Sequence, residues 1–123
     1  MTTPRTVDEL RERYPPNVQA LASAARRSLR KWLPGVEETA DGSAPVIGYG
    51  FGPGYRGIVC TLILSKSGVK LGLAHGAGLA DPRVLLEGSG RVHRHIPLRA
   101  PSDLRKPGVS SLVKAAHRAW NRK

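Results

Sequence analysis

Hydrophobic residues change their spacing along this chain, and the changes divide it into helical and extended regions. Residues 17–33 repeat apolar positions at three- and four-residue steps, which is typical of a helix with one buried face. From Val36 the period falls to two, as in strands, and a helical spacing returns over residues 110–120. A shorter helix is predicted to begin at Thr6, because Thr6 and Glu9 have the spacing of a capping box and a proline pair follows.

Turn residues divide the extended region into short strands. The strands are predicted at residues 36–40, 46–51, 57–65, 69–75 and 91–99. The third is apolar on both faces, which indicates a central strand, and Pro97 places the last at an edge or a strand end. The pattern predicts an α+β fold: an antiparallel sheet of about five strands with N- and C-terminal helices packed on one face. Residues 1–123 are predicted to form a single domain, in which residues 1–16 are an N-terminal arm with the short helix.

The long helix carries cations on the side opposite its apolar stripe. These are Arg26, Arg27, Arg30 and Lys31. They lie toward the C-terminal end, where positive charge interacts favourably with the helix dipole. We expect all of them to form a solvated face.

The net charge of +11 is distributed unevenly, with +2 in residues 1–60 and +9 in residues 61–123. This asymmetry suits an anionic ligand, an acidic partner or nucleic acid, and a general preference for arginine on the surface is the alternative explanation. The single cysteine, Cys60, allows no intrachain disulfide and suits a reducing compartment. No stretch reaches the roughly 18 apolar residues of a membrane span. The sequence therefore predicts a soluble, cytoplasmic protein with no membrane association.

The densest cluster of chemically capable side chains lies in residues 85–99, where a glycine-containing turn leads into the last strand. One face of this strand is predicted to carry Arg91, His93, His95 and Arg99. Arginine forks and imidazole N–H groups suit phosphate or carboxylate, although solvated surface residues remain the alternative. Arg94 falls on the opposite, apolar face, so its guanidinium needs carbonyls, a bound anion or a carboxylate as partner. The candidate carboxylates are Glu87, Glu37 and Glu38.

Other chemistry is less well supported by the sequence. The GxGxxG pattern in residues 52–57 precedes an apolar strand rather than a helix, so it does not indicate dinucleotide binding. His93 and His95, with His75 or Cys60, could ligate a metal, but no carboxylate is near in sequence and arginines oppose a cation. No nucleophile–base pair is visible, and Cys60 lies in an apolar strand. We therefore predict a non-enzymatic protein without a cofactor.

Several short motifs follow one another in a familiar order. They are Glu37-Glu38, Tyr49-Gly50-Phe51, Leu73-Ala74-His75-Gly76, Leu79-Ala80-Asp81-Pro82, Leu86-Glu87-Gly88-Ser89-Gly90 and Arg94-His95-Ile96. Over residues 17–121 this order resembles the YdhG-like family of small bacterial proteins, a group of unknown function. The resemblance implies an antiparallel sheet backed by helices, and some members of the family are described as frataxin-like intracellular iron chaperones. It also singles out Glu87-Gly88-x-Gly90 and Arg94-His95-Ile96, which match the family pattern, as the positions to test.

Three functions remain to be distinguished. The leading prediction is a binding domain whose anionic small molecule or acidic protein partner engages the Arg91 to Arg99 strand, with Glu87 and Tyr49 beside it. An iron-binding chaperone is the alternative. Its ligands would be Glu37, Glu38, Asp41, His93 and His95. The chain has only nine carboxylates, whereas iron prefers oxygen ligands. Non-specific nucleic-acid binding is a second alternative, through duplex phosphates, since the few aromatic residues are not interleaved with the basic cluster.

Overall fold

The computed structural model describes residues 6–40, 44–51, 57–74, 76–81, 84–90 and 93–121. The α-helices are α1 (Val7–Arg11), α2 (Pro16–Trp32) and α3 (Val109–Asn121). The β-strands are β1 (Glu37–Ala40), β2 (Val46–Gly50), β3 (Ile58–Ser65), β4 (Gly68–Leu73) and β5 (Arg94–Leu98). Two short 3₁₀ helices, Gly76–Gly78 and Pro101–Arg105, lie on either side of β5 in the chain. The predicted α+β class is confirmed.

The five strands form one antiparallel sheet in the order β1-β2-β3-β4-β5, so each strand pairs with its neighbour in sequence. The doubly apolar strand β3 is central, and β5 with Pro97 is an edge strand, as the sequence predicts. The outward side of β5 is partly covered, because Glu87 and His95 exchange two backbone hydrogen bonds of 2.7 and 3.0 Å. Pro97 has no N–H to offer there.

The core lies between the helices and one face of the sheet. Ile47, Leu62, Leu71 and Ile96 form one register row across four strands, and none is more than 3 % exposed. The helices supply the facing layer through Val18, Leu21, Ala22, Ala25, Leu29, Val109, Leu112, Val113 and Ala116. Burying each leucine or isoleucine contributes about 1.5–3 kcal/mol, so this face determines the strand register.

The two N-terminal helices begin as their sequences predict. The Thr6 hydroxyl accepts a hydrogen bond from the Glu9 backbone N–H at 3.1 Å and caps α1. Pro16 occupies the first turn of α2, where a missing N–H costs nothing. No helix within the described ranges has the length and apolar content needed to cross a bilayer.

Candidate functional site

Alternate residues of β5 project to opposite faces of the sheet. Arg94 pairs with Leu73 in the register row that faces the helices, whereas His95 pairs with Gly72 on the other face. We call that other face, which no described helix covers, the open face. Arg94 and His95 of the predicted cluster thus leave β5 on opposite faces, although both side chains border the turn at Gly88, where a methyl group would lie 3.4 Å from the His95 ring and 3.7 Å from Arg94 Cδ. Arg91 lies outside the described residues, as do Asp41 and His75.

Arg94 is only half-buried, and a main-chain group is its partner. Its Nε donates a 2.6 Å hydrogen bond to the carbonyl oxygen of Gly90. The turn from Glu87 to Gly90 thus folds over β5, held by the Glu87–His95 backbone pair at one end and by Arg94 at the other. Of the partners predicted for Arg94, a carbonyl is the one observed. The exposed Glu87 uses its backbone to pair with His95 instead.

On the open face, three polar residues from three neighbouring strands lie near one another. Thr61, Gly72 and His95 are aligned across β3, β4 and β5, and Lys70 lies opposite Pro97, two residues beyond His95. Arg99 follows on the same side by the alternation of the strand. We call Thr61, Lys70, His95 and Arg99 the open-face cluster. His95 and Arg99 are roughly 13 Å apart along the strand, and Lys70 projects from the neighbouring strand between them.

Neighbouring residues orient the Thr61 hydroxyl, border the His95 ring and hold the backbone at Arg99. A methyl group on Gly72 would stand 2.5 Å from Thr61 Oγ1, so the threonine hydroxyl leans over the glycine toward β5. The turn at Gly88 borders the His95 ring, since a methyl group there would lie 3.4 Å from Nδ1 and Cε1. Asp103 Oδ2 accepts the Arg99 backbone N–H at 2.7 Å and fixes the chain where β5 ends. That hydrogen bond is the main reason why the pKa of Asp103 lies below its usual value.

The side chains of the open-face cluster have no carboxylate partner among the described residues. The salt bridges found there involve other cations, namely Arg11, Arg26, Arg30 and Lys106. Thr61 Oγ1 likewise has no hydrogen-bond partner among the described residues. Hydroxyl, ammonium, imidazole and guanidinium groups are thus placed near one another, and the described part of the chain supplies no acceptor for them. Such a set can donate to the oxygens of an anion.

Tyr49 does not belong to this cluster, contrary to expectation. It lies in β2 on the helix-facing side, is 0 % exposed, and donates its hydroxyl to Glu38 Oε2 at 2.5 Å. Arg26 joins the same network instead of a solvated helix face, because its Nε and Nη2 donate to the two Glu38 oxygens at 2.9 and 3.3 Å. Its Nη1 also donates to Asp8 at 3.0 Å, so the network links α1, α2, β1 and β2.

The ionisation of this network follows from its contacts. Burial alone would raise the pKa of Glu38, but hydrogen bonds from Arg26 and Tyr49 and the charges of Arg26 and Arg30 outweigh it and lower that pKa. Burial, and then the hydrogen bond to Glu38, raise the pKa of Tyr49 well above its usual value. The hydrogen bond to Glu38 raises the pKa of Arg26. Glu38 is therefore a carboxylate fully engaged in holding the fold.

The predicted iron ligands are not brought together. Glu37 and Glu38 lie in β1 and His95 lies in β5, at opposite edges of a five-stranded sheet. Four strand spacings separate these edges, which amounts to roughly 19 Å. Within the described part of the chain, no three His, Cys, Asp or Glu residues are grouped so that they could hold a metal ion.

Sequence reasoning missed Lys70 and Thr61. Their alternation in apolar strands marks them as facing away from the core, but their proximity to His95 depends on the β4–β5 register. A long connection and not a short hairpin turn joins β4 to β5, so no turn sequence predicts the register between them.

Comparison with known proteins adds no assignment: no family model, no curated protein and no solved structure matches this chain. The resemblance to the YdhG-like family stays a prediction.

Proposed function

We propose that this chain is a binding domain that holds an anionic group of a small molecule or of an acidic partner at the open-face cluster. The observation that carries the proposal is the convergence of Thr61, Lys70 and His95 beside Gly72 and Pro97. Their donors have no acceptor among the residues that the structure describes, and Arg99 adds a further positive charge. Bound oxyanions are favoured by such charge-assisted hydrogen bonds.

The domain is proposed to bind without catalysing a reaction. Its one thiol, Cys60, is 0 % exposed, and burial raises the pKa of that thiol to about 12. A protonated, buried thiol is a poor nucleophile, so Cys60 serves as a core residue. The cluster itself contains a lysine, an arginine, an imidazole and one hydroxyl, and no carboxylate of the described residues joins it to complete a nucleophile–base arrangement.

An NMR titration of the folded protein with inorganic phosphate tests the proposal. We expect the largest amide shifts around residues 61, 70 and 95, and Lys70→Ala should weaken phosphate binding about fivefold, as for a partly solvated charged contact. Lys114→Ala is the matched control, because Lys114 is an exposed lysine on α3. Equal weakening by both variants, or shifts spread over the helices, would show that only net charge attracts phosphate.

A further inference from the structure

The open-face cluster continues into an apolar strip along one register row of the sheet. Val46 pairs with Ile63, Ile63 with Lys70, and Lys70 with Pro97, so the row crosses β2, β3, β4 and β5. Val46, Ile63 and Pro97 are only half-buried, unlike the aliphatic residues of the helix-facing side. A ligand whose anionic group lies at Lys70 therefore meets aliphatic surface on the side toward β2.

The alternative directions from Lys70 offer less apolar surface. Toward the next row, Thr61 and His95 flank Gly72, and both present polar groups. Along β5 beyond Pro97 the next side chain is Arg99, which is exposed and charged. The row through Ile63 and Val46 is thus the direction in which an apolar substituent loses contact with water.

From this juxtaposition, and resting on the proposed function, we infer that the ligand is a small organic anion with an apolar or aromatic body. Its phosphate or carboxylate lies among Thr61, Lys70 and His95, and its body lies flat over Ile63 and Val46. A body of this kind spans the roughly 5–10 Å from β4 to β2, which corresponds to a phenyl ring or a short alkyl chain. Contact with two aliphatic side chains on an open surface adds about tenfold in affinity.

The test compares inorganic phosphate with phenyl phosphate by NMR titration of the intact chain. We expect phenyl phosphate to bind about tenfold more tightly, with amide shifts extending to residues 46 and 63. Ile63→Thr and Val46→Thr should each remove most of this preference while leaving the affinity for inorganic phosphate unchanged. Both variants keep a β-branched side chain suited to a strand, and a thermal melt of each verifies that the sheet is intact. Val84→Thr is the control, since Val84 is 81 % exposed and lies outside the sheet, and it should retain the full preference.

The possible failures are distinguishable. If inorganic phosphate binds in a Lys70-dependent manner but phenyl phosphate binds no more tightly, the apolar body is wrong and the anion site stands. If phosphate binding does not depend on Lys70, the anion site fails as well. A hexaglutamate peptide that binds more tightly than phenyl phosphate would overturn the small-molecule inference in favour of an acidic protein partner.

Discussion

The hydroxyl of Tyr49 in β2 donates a 2.5 Å hydrogen bond to the carboxylate of Glu38 in β1, inside a contact that also holds Arg26 of α2. Glu38 and Arg26 expose only 13 % and 15 % of their side chains. The ion pair of Glu38 and Arg26 thus lies at the margin of the core, where removal of one partner leaves the other charged and poorly hydrated. This network fixes the edge strand β1 to the helix layer.

Replacing Arg26 by methionine should lower the free energy of unfolding by about 2–3 kcal/mol, because Glu38 then keeps its charge without its bidentate partner. Methionine retains much of the aliphatic packing of the arginine side chain. Urea unfolding at neutral pH measures the loss. Arg27→Met is the matched control, since Arg27 is the exposed neighbour on α2, and its effect should stay within about 0.5 kcal/mol. Similar losses in both variants would mean that helix propensity and not the network is responsible.

The difference in stability between wild type and Arg26→Met should shrink as the pH falls. In the wild type the pKa of Glu38 is lowered, so its contribution is present above the unfolded-state pKa of about 4.3 and is lost as pH falls through the folded-state pKa. In Arg26→Met the interactions with Arg26 that lower the pKa of Glu38 are lost, whereas burial, which raises this pKa, remains. The protonated form of Glu38 is therefore more favourable in the variant than in the wild type. Urea midpoints of both proteins, measured from pH 7 to about pH 3, should converge toward the acid end. A constant difference across this range would show that Glu38 does not titrate as its contacts imply.

Arg94→Ala should cost only about 1 kcal/mol, because the half-buried side chain loses one hydrogen bond to Gly90 and leaves no buried carboxylate behind. The same variant should keep any rise in melting temperature that phosphate gives the wild type, since Arg94 faces away from the open-face cluster. Thermal melts with and without phosphate measure both effects. Lys70→Ala is the comparison, and it should lose the phosphate effect with little change in stability of the free protein. Loss of the phosphate effect in Arg94→Ala alone would place the anion on the helix-facing side.

Gly90→Ala should destabilise the protein by about 2 kcal/mol, because the added methyl group would stand 2.6 Å from the carbonyl oxygen of His93 and main chain would have to move. Gly78→Ala provides the control, as nothing lies within 4 Å of a methyl group there. Chemical denaturation of the two variants gives the comparison. Equal stabilities would indicate that the turn over β5 adjusts freely and does not hold His95 in place.

Ferrous iron should bind no more tightly than about 100 μM, which corresponds to a binding free energy of about −5.5 kcal/mol. The predicted acidic and histidine ligands lie at opposite sheet edges, and Glu38 is already engaged by Arg26 and Tyr49. Anaerobic calorimetry measures the affinity. A micromolar site that is lost in Glu37→Ala and kept in Glu9→Ala would restore the iron function.

The fold was predictable where its signals are local. The apolar spacing of α2, the alternation of β4 and β5 and the doubly apolar pattern of β3 depend on neighbouring residues, and the prolines mark helix boundaries and the sheet edge. Even the face chosen by Arg94 followed from its alternation with Ile96 and Leu98. These elements needed no knowledge of distant contacts.

The site was harder to predict because its contacts cross the sheet. Arg26 looks like an exposed helix cation until β1 brings Glu38 alongside α2, and Tyr49 looks like a candidate ligand contact until its hydroxyl is buried against that carboxylate. Lys70 and Thr61 become neighbours of His95 only through the β4–β5 register, which follows a connection of some twenty residues. Side-chain type alone indicates anion-binding chemistry on β5, but the residues proposed to act with His95 lie on other strands.

The turn that folds over β5 also affects how the protein behaves at high concentration. A bare sheet edge is a template for strands of other chains, yet on β5 the backbone of His95 is occupied by Glu87 and Pro97 offers no donor. Pairing with strands of other chains is therefore disfavoured at this edge. The other edge strand of the sheet is β1. That strand is four residues long and begins with the exposed Glu37, so copies approaching edge to edge would bring these like charges closer together.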